Sequence, residues 1–198
     1  LYGLSAQRTL DLAQALYEKH KLISYPRTDS RHLSTAVAAT LPAVAAAVQG
    51  RYPGLIAPGT GTTPLGRRFV DDARVTDHHA ILPTATPARA TLSADESKIY
   101  DLICRRLLAA WHDDHVYSST TVVTTITTAA APPIVDHYES RGTAVQQVGW
   151  KVLDVGHGKP AKPKPGSPEP AGEQALPPGL VRGQPQRVLG ARSIDKQT

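Results

Sequence analysis

The chain of 198 residues has no methionine, a single cysteine and no long apolar run. The one cysteine, Cys104, can form no internal disulfide, and it leaves too few thiols for a structural zinc site. No apolar stretch approaches the ~18 residues that a membrane span needs, and no secretory signal pattern opens the chain. We therefore expect a cytoplasmic protein without a membrane partner. Because the chain begins at Leu1 and lacks methionine, we also expect a piece of a longer polypeptide.

Composition places the chain among ordinary folded proteins. Hydrophobic residues make up 40% of it and charged residues 20%, which excludes a disordered protein and is typical of one or two domains. The formal net charge is +5 and the pI is about 9.4, a balance that favours a polyanionic partner. Since many proteins share this balance, a nucleic acid partner has to be argued from particular residues.

Two segments have the 3.6-residue apolar spacing of helices. Residues from Ser5 to about Lys21 predict one helix. Ser93 and Glu96 predict a capping box for another helix that reaches about Trp111. The expected apolar stripes are Leu10, Ala13, Leu16 and Tyr17 in the first helix, and Ile99, Leu102, Ile103, Leu107 and Ala110 in the second.

Between these helices lies an alanine-rich segment followed by a loop. Ser34 can cap the segment, and Pro42 either breaks it or starts a new turn that runs to about Gln49. Residues 50–66 are rich in Gly, Pro and Thr, which predicts a long surface loop.

Strand-favouring residues dominate the chain after Val116. The Thr, Val and Ile residues from Tyr117 to Thr128 predict a first strand. Two more strands are expected at about Ile134 to Ser140 and Thr143 to Leu153, with a turn at Arg141-Gly142 between them. A last extended piece, from about Leu180 to Leu189, is expected to return to the sheet.

These patterns predict an α+β fold with two domains. Residues 1–115 are expected to form a mainly helical domain that carries the reactive residues. Residues 116–198 are expected to form part of an antiparallel β domain. Residues from about 156 to 178 are too rich in Pro, Gly and Lys to form a core, and we interpret them as a flexible insertion.

The stretch from Leu22 to Leu33 concentrates reactive side chains. Pro26 disfavours a helical conformation at Tyr25, so the phenol is expected on a bend after the first helix. Arg27 follows two residues later, where an extended backbone would bring its guanidinium to the same side as the phenol to hold a phosphate. In the alternative interpretation, Tyr25 is a half-buried aromatic before a proline turn, and Asp29 and Ser30 merely cap the next helix.

A second stretch, Asp77 to Thr84, carries two adjacent histidines. Neighbouring side chains point in different directions on a regular element, and no cysteine cluster lies nearby, so we predict no metal site here. An imidazole near a phosphate could instead orient an oxygen or carry a proton. Arg67, Arg68 and Arg74 precede this stretch, and they could contact a phosphate backbone or simply be solvated.

The two stretches together resemble the type IA DNA topoisomerases, and topoisomerase III most closely. The active-site signature of that family is matched by Leu22-Ile23-Ser24-Tyr25-Pro26-Arg27-Thr28-Asp29-Ser30. A second signature is matched by His78-His79-Ala80-Ile81-Leu82-Pro83-Thr84. The segments Gly3 to Gln7 and Val148 to Trp150 are also similar to that family, and all four occur in its order.

The resemblance implies a reaction and a role for each matched residue. Tyr25 would attack a phosphodiester of one DNA strand and become joined to the 5′ phosphate. Arg27 would contact the phosphate and His78 would assist at it. Religation after strand passage would need no ATP, and the outcome would be relaxation of negative supercoils or decatenation. The residues expected to contact DNA are Thr28, Asp29, Arg31, Arg67, Arg68 and Thr84.

The resemblance also implies parts that this sequence does not contain. The family binds Mg²⁺ through acidic residues of a separate N-terminal domain, and nothing here matches that domain. We interpret the pairs Asp71-Asp72 and Asp113-Asp114 as solvated or capping residues. The expected partners are DNA, mainly single-stranded, and the remaining domains of the parent chain. We predict that residues 1–198 alone cannot cleave or relax DNA.

Two other functions compete with this interpretation. The first is a non-catalytic single-stranded DNA-binding module, with helices around a turn and exposed arginines for phosphates. The second is a tyrosine recombinase, which fits poorly because its two dispersed arginines and His-x-x-Arg arrangement are not found.

Overall fold

A computed structural model describes residues 2–87, 91–156, 176, 180–185 and 187. The chain divides into two compact units. Residues up to His115 and the segment that starts at Val148 belong to the first unit, and Val116–Gln147 belongs to the second. The first unit is helical and the second contains an antiparallel pair of strands, which confirms the α+β prediction. The assignment of domains to 1–115 and 116–198 stays a prediction.

Among the described residues of the first unit, four segments are α-helices. They are α1 (Ala6–Glu18), α2 (Thr35–Ala38), α3 (Leu41–Gln49) and α4 (Ala94–Leu108). Short 3-10 helices lie at Asp72–Arg74, Ala109–Trp111 and Gly149–Leu153.

The predicted helix starts are confirmed by side-chain caps. The Ser5 side chain accepts a hydrogen bond from the backbone of Arg8, and Ser34 accepts one from Val37. Ser93 and Glu96 form the reciprocal capping box at the start of α4. Each cap satisfies backbone N–H groups that have no partner inside the helix.

The end of α1 differs from the prediction. The helix ends at Glu18 instead of continuing to Lys21. Lys21 has a left-handed backbone conformation, with φ of 56°. Few residues other than glycine adopt this region, and it cannot continue a right-handed helix. The chain therefore turns sharply before it enters the Tyr25 stretch.

The core is formed where α1 and α4 meet. Leu12, Ala13 and Leu16 are buried on α1, whereas Leu10 and Tyr17 are only half-buried. On α4 the buried residues differ from the predicted stripe, because the helix packs against two separate apolar clusters. The buried residues of α4 are Ile99, Tyr100, Cys104, Leu107 and Leu108.

In the second unit, Val116–Gln147 forms one long β-hairpin. Strand β1 (Val116–Thr127) pairs antiparallel with β2 (Val135–Gln147). The predicted turn at Arg141-Gly142 is wrong, because these residues lie inside β2 and pair with β1. The reversal instead includes Pro132 and Pro133, which cannot donate ladder hydrogen bonds.

The predicted strand from Thr143 to Leu153 is also wrong in its second half. Residues after Gln147 form the 3-10 helix Gly149–Leu153, and Leu153 joins the core of the first unit. Gly149 has a φ of 53°, and a side chain there would collide with the backbone of Asp113 and Asp114. A strand cannot continue through such a residue.

The predicted C-terminal features are only partly described. The proposed insertion at about 156–178 lies almost entirely outside the described residues. Residues 180–185 and 187 are described, and none of them belongs to a strand, so the prediction of an extended return to the sheet is wrong for them. A turn forms there instead, because the backbone N–H of Gln184 donates to the carbonyl of Val181. In the part of the chain that is described, no helix has the length and apolar character to span a membrane.

Candidate active site

The backbone brings the two reactive stretches side by side. Ile23 and Pro83 form an isolated antiparallel bridge. The N–H of Ser24 donates to the carbonyl of Leu82 at 2.8 Å, and the N–H of Thr84 donates to the carbonyl of Leu22 at 2.8 Å. Because Leu22 and Ile23 are buried, this pairing is anchored in the core. The first stretch is thus held by the second.

Side-chain hydroxyls add to this pairing. The Ser24 hydroxyl accepts from the N–H of Leu82 at 2.9 Å and donates to the carbonyl of Ala80 at 3.5 Å. The Thr84 hydroxyl donates to the carbonyl of Lys21 at 2.7 Å, which holds the left-handed turn. Thr84 was expected to contact DNA, and the structure places its hydroxyl on protein backbone.

Tyr25 and His78 lie next to each other at the bend. Their ring centroids are 4.4 Å apart, and the ring planes are tilted by 47°. Tyr25 is half-buried and His78 is exposed, while Pro26 between the phenol and the arginine is buried. The buried proline fixes the bend, and the Tyr25 and His78 rings remain at least partly exposed.

Thr28 ties the two stretches together beyond the bend. Its hydroxyl donates to the carbonyl of His78 at 3.1 Å and accepts from the N–H of Ser30 at 3.1 Å. Thr28, which was expected to contact DNA, therefore lies at the site and holds the backbone of His78. His79 is half-buried, and its Nδ1 lies 2.7 Å from the carbonyl oxygen of Ala80.

Arg27, Asp29 and Arg31 are all exposed. Within the described residues, neither arginine has a hydrogen bond or an ion pair. An arginine without a protein partner keeps all its N–H donors for a ligand, and a planar guanidinium suits phosphate.

An open groove of about 300 Å³ lies beside these residues. The Ser30 hydroxyl donates to the carbonyl of Arg74 at 3.0 Å, which brings the 71–76 loop against the first stretch. The Arg74 guanidinium remains 67% exposed, 3.6 Å from the Asp71 carboxylate. The groove is lined by Asp29, Ser30, Arg31, His32, Arg74 and Thr76.

Arg67 and Arg68 lie on the loop that follows α3. Leu33 and Val70 form a parallel bridge that connects this loop to the end of the first stretch. Arg68 is engaged with Asp114 at 2.7 Å, and both side chains are highly exposed. Such an exposed pair contributes little stability, so it does not prevent Arg68 from exchanging its partner for a phosphate.

Acidic residues near the site serve as structural acceptors. Asp71 accepts from the N–H of Ala73, and Asp72 accepts from the N–H and hydroxyl of Thr35. The hydrogen bonds from Thr35 lower the pKa of the Asp72 carboxyl. Among the described residues, no three His, Cys, Asp or Glu side chains gather closely enough to hold a metal. The side chains that the structure describes therefore offer no set of ligands that fits Mg²⁺.

The family model described as DNA topoisomerase matches residues 1–197. The chain belongs to the DNA topoisomerase family. The resemblance to type IA enzymes, and to topoisomerase III in particular, is confirmed by the relatives that share its sequence.

Three of these relatives are bacterial proteins named DNA topoisomerase 3. The Bacillus licheniformis protein is 39% identical over 155 residues, which are 77% of this chain and 20% of the relative. The Bacillus thuringiensis (strain Al Hakam) protein is 38% identical over 154 residues, or 76% of this chain and 20% of that protein. The Bacillus subtilis protein is 38% identical over 162 residues, which cover 77% of this chain and 20% of that protein. This topoisomerase chain thus spans about a fifth of their length.

Two features of the candidate site in this topoisomerase chain were not predicted from the sequence. Tyr17 was placed in the apolar stripe of α1, yet its ring lies 5.4 Å from the ring of Tyr25. Arg74 was grouped with Arg67 and Arg68, yet it lines the groove beside Arg31. Both depend on how the chain turns between elements, and no local spacing in the sequence encodes that.

Proposed function

We propose that this chain is the tyrosine-bearing part of a topoisomerase III-like enzyme that cuts and reseals one DNA strand through Tyr25. The observation that carries the proposal is the Tyr25 ring at the surface, 4.4 Å from the ring of His78, in the two sequence stretches that the family shares. A nucleophile next to a group that can move protons is the arrangement that covalent catalysis requires.

The proposed step exchanges one phosphodiester for another. The phenolic oxygen of Tyr25 forms a bond to phosphorus, and the bond between phosphorus and the 3′ oxygen breaks. The phenol loses its proton, and the departing 3′ oxygen gains one, which leaves a free 3′ hydroxyl and a 5′ phosphotyrosine. Because the number of ester bonds is unchanged, the reverse attack reseals the strand without ATP.

Arg27 is proposed to hold the phosphate under attack. A phenol has a reference pKa near ~10, so it needs a cation or a base nearby to become an effective nucleophile at neutral pH. The exposed guanidinium two residues away can supply positive charge to the phenolate and to the phosphate oxygens as their charge increases. Arg27 would thus favour the phenolate and also stabilise the charge on the phosphate.

His78 is proposed to orient a non-bridging oxygen or to transfer a proton at the phosphate. Its position is supported from behind, because Thr28 hydrogen bonds to its backbone carbonyl. This bond links the position of the imidazole to the stretch that carries the nucleophile.

The DNA is proposed to pass over the exposed arginines as a single strand. Arg31 and Asp29 line the open groove in the stretch that follows Tyr25 in sequence, and Arg67 and Arg68 lie on the next loop. Phosphate contacts from arginine give affinity without sequence preference. Thr28 and Thr84 would act mainly by holding the backbone beneath this path.

The remaining requirements are proposed to come from the rest of a longer polypeptide. Type IA topoisomerases depend on Mg²⁺, and we infer that another part of the enzyme binds it, since the described residues offer no suitable cluster. We infer that residues 1–198 alone are inactive, and that the complete enzyme relaxes negative supercoils or decatenates DNA.

The test is a comparison of Tyr25→Phe with the unmodified enzyme. We expect the variant to bind a single-stranded oligonucleotide with nearly unchanged affinity and to form no covalent adduct on a denaturing gel. If the unmodified enzyme bound the oligonucleotide and formed no adduct either, the chain would belong to a non-catalytic binding module.

A further inference from the structure

Tyr25 contacts a second aromatic ring besides that of His78. The ring of Tyr17 meets it edge to face, with centroids 5.4 Å apart and planes 75° apart. Edge-to-face packing is the arrangement that aromatic quadrupoles prefer. The proposed nucleophile is thus contacted by two rings that come from different parts of the chain.

Tyr17 is itself held in place. It lies in the last turn of α1, next to Leu16, which is fully buried in the core. The ammonium of Lys21 lies 5.6 Å from the centre of the Tyr17 ring, within cation–π range. The Tyr17 ring is therefore held by its own helix, α1, and by the Lys21 side chain in the turn that follows.

The left-handed turn at Lys21 makes this contact possible. Its φ of 56° reverses the chain after α1, and the Thr84 hydroxyl bonds to its carbonyl at 2.7 Å. An uncommon backbone conformation persists where surrounding contacts fix it. Here the fixed turn sends the Tyr25 stretch back alongside the end of α1.

We infer that Tyr17 is a positioning residue that holds the Tyr25 ring in the orientation needed for attack on the phosphate. This inference rests on the proposed role of Tyr25 as the nucleophile. The side chain of Tyr25 has two main torsions, and ring contacts from α1 and from the His78 stretch limit both. Attack on phosphorus requires the oxygen to be aligned with the bond that breaks, so a freely rotating phenol would react more slowly.

The experiment measures the rate of covalent adduct formation and the dissociation constant for DNA in the full-length enzyme that contains this chain. The probe is an end-labelled single-stranded oligonucleotide at saturating concentration. The variants are Tyr17→Leu, which removes the ring, and Tyr17→Phe, which keeps it. Tyr2→Leu is the matched control, because Tyr2 is also half-buried with a lysine ammonium 5.9 Å from its ring.

We expect Tyr17→Leu to slow adduct formation about 10-fold with an unchanged dissociation constant, and Tyr17→Phe to stay within about twofold of the unmodified enzyme. Tyr2→Leu should leave the rate unaltered. Fluorine NMR of enzyme labelled with 3-fluorotyrosine gives a second readout. The Tyr25 resonance, assigned with Tyr25→Phe, should shift in Tyr17→Leu and not in Tyr2→Leu.

If Tyr17→Leu does not fold, Tyr17→Met replaces it, since the longer, unbranched methionine side chain adapts to an irregular space and has no aromatic face. The inference is overturned if the ring-free variant reacts at the normal rate, if only DNA affinity changes, or if Tyr2→Leu causes the same loss. Failure of the proposed function looks different. In that case the unmodified enzyme forms no adduct, or the adduct survives Tyr25→Phe.

Discussion

The ring of Tyr25 lies 4.4 Å from the ring of His78, although the two residues belong to separate sequence motifs. Backbone hydrogen bonds between Ser24 and Leu82 and between Thr84 and Leu22 create this proximity. The pairing of the two stretches is thus the structural basis for a candidate active site.

Replacement of His78 by alanine tests the second ring. Because the side chain is exposed, we expect the melting temperature to be nearly unchanged. We expect the rate of DNA cleavage to fall roughly 100-fold, the range for loss of a proton-transferring group. Single-turnover cleavage of an oligonucleotide measures this. His115→Ala is a control outside both motifs. If His78→Ala cleaved DNA as fast as the unmodified enzyme, the proposed role of His78 would be contradicted.

Arg27 is predicted to act on the phosphate and not on the fold. Arg27→Ala should slow cleavage by about 100-fold, whereas Arg27→Lys should recover only part of the rate, because an ammonium cannot form the paired contacts of a guanidinium. Thermal unfolding should be unaffected, since the side chain is exposed. Full activity of the lysine variant would show that positive charge alone is sufficient.

Ser24 is predicted to support the pairing of the two stretches. Ser24→Ala removes the acceptor for the N–H of Leu82, and an unsatisfied buried donor costs about 1–3 kcal/mol. Chemical denaturation should show that loss in the free energy of unfolding. Ser119→Ala, on the exposed strand β1, should show almost none. Equal stability of the two variants would mean that the Ser24 bridge does not stabilise the site.

Glu96 should make stability depend on acidic pH. Hydrogen bonds from Ser93 and, less strongly, from His20 lower the pKa of the Glu96 carboxyl. A lowered folded-state pKa adds stability above the ordinary glutamate value of 4.5, and that stability is lost as pH falls through the folded value.

Glu96→Ala measures this contribution. We expect a loss of about 1 kcal/mol at pH 7, because the capping box and the contact to His20 are removed together. The difference in the free energy of unfolding between the variant and the unmodified protein should become smaller as pH falls below 4.5. Denaturation curves at several pH values provide the measurement, and Glu139→Ala in the hairpin is the control. If this difference stayed constant with pH, the predicted contribution of the ionised Glu96 carboxyl to stability would be wrong.

The sequence predicted the parts of the fold that local chemistry decides. Ser5, Ser34 and Ser93 cap helices as expected, because their side chains satisfy backbone groups within a few residues. The nucleophile candidate and its histidine partner were also predicted, because both belong to recognisable motifs. Their proximity to one another was an expectation only by resemblance.

The wrong predictions concern conformations that depend on contacts between distant parts of the chain. Arg141-Gly142 resembles a turn, yet in β2 these residues pair along their length with β1. Lys21 carries no local signal for a left-handed conformation, yet the turn there places Tyr17 against Tyr25. In both cases contacts with residues far along the sequence override local preference.

The most direct test of the central claim is to identify the atom that becomes joined to DNA. The full-length enzyme would be incubated with an oligonucleotide and denatured, and the adduct would be digested with protease and nuclease for mass spectrometry. The account predicts a nucleotide attached through its 5′ phosphate to the peptide that contains Tyr25. A nucleotide on any other residue, or a linkage through a 3′ phosphate, would contradict it.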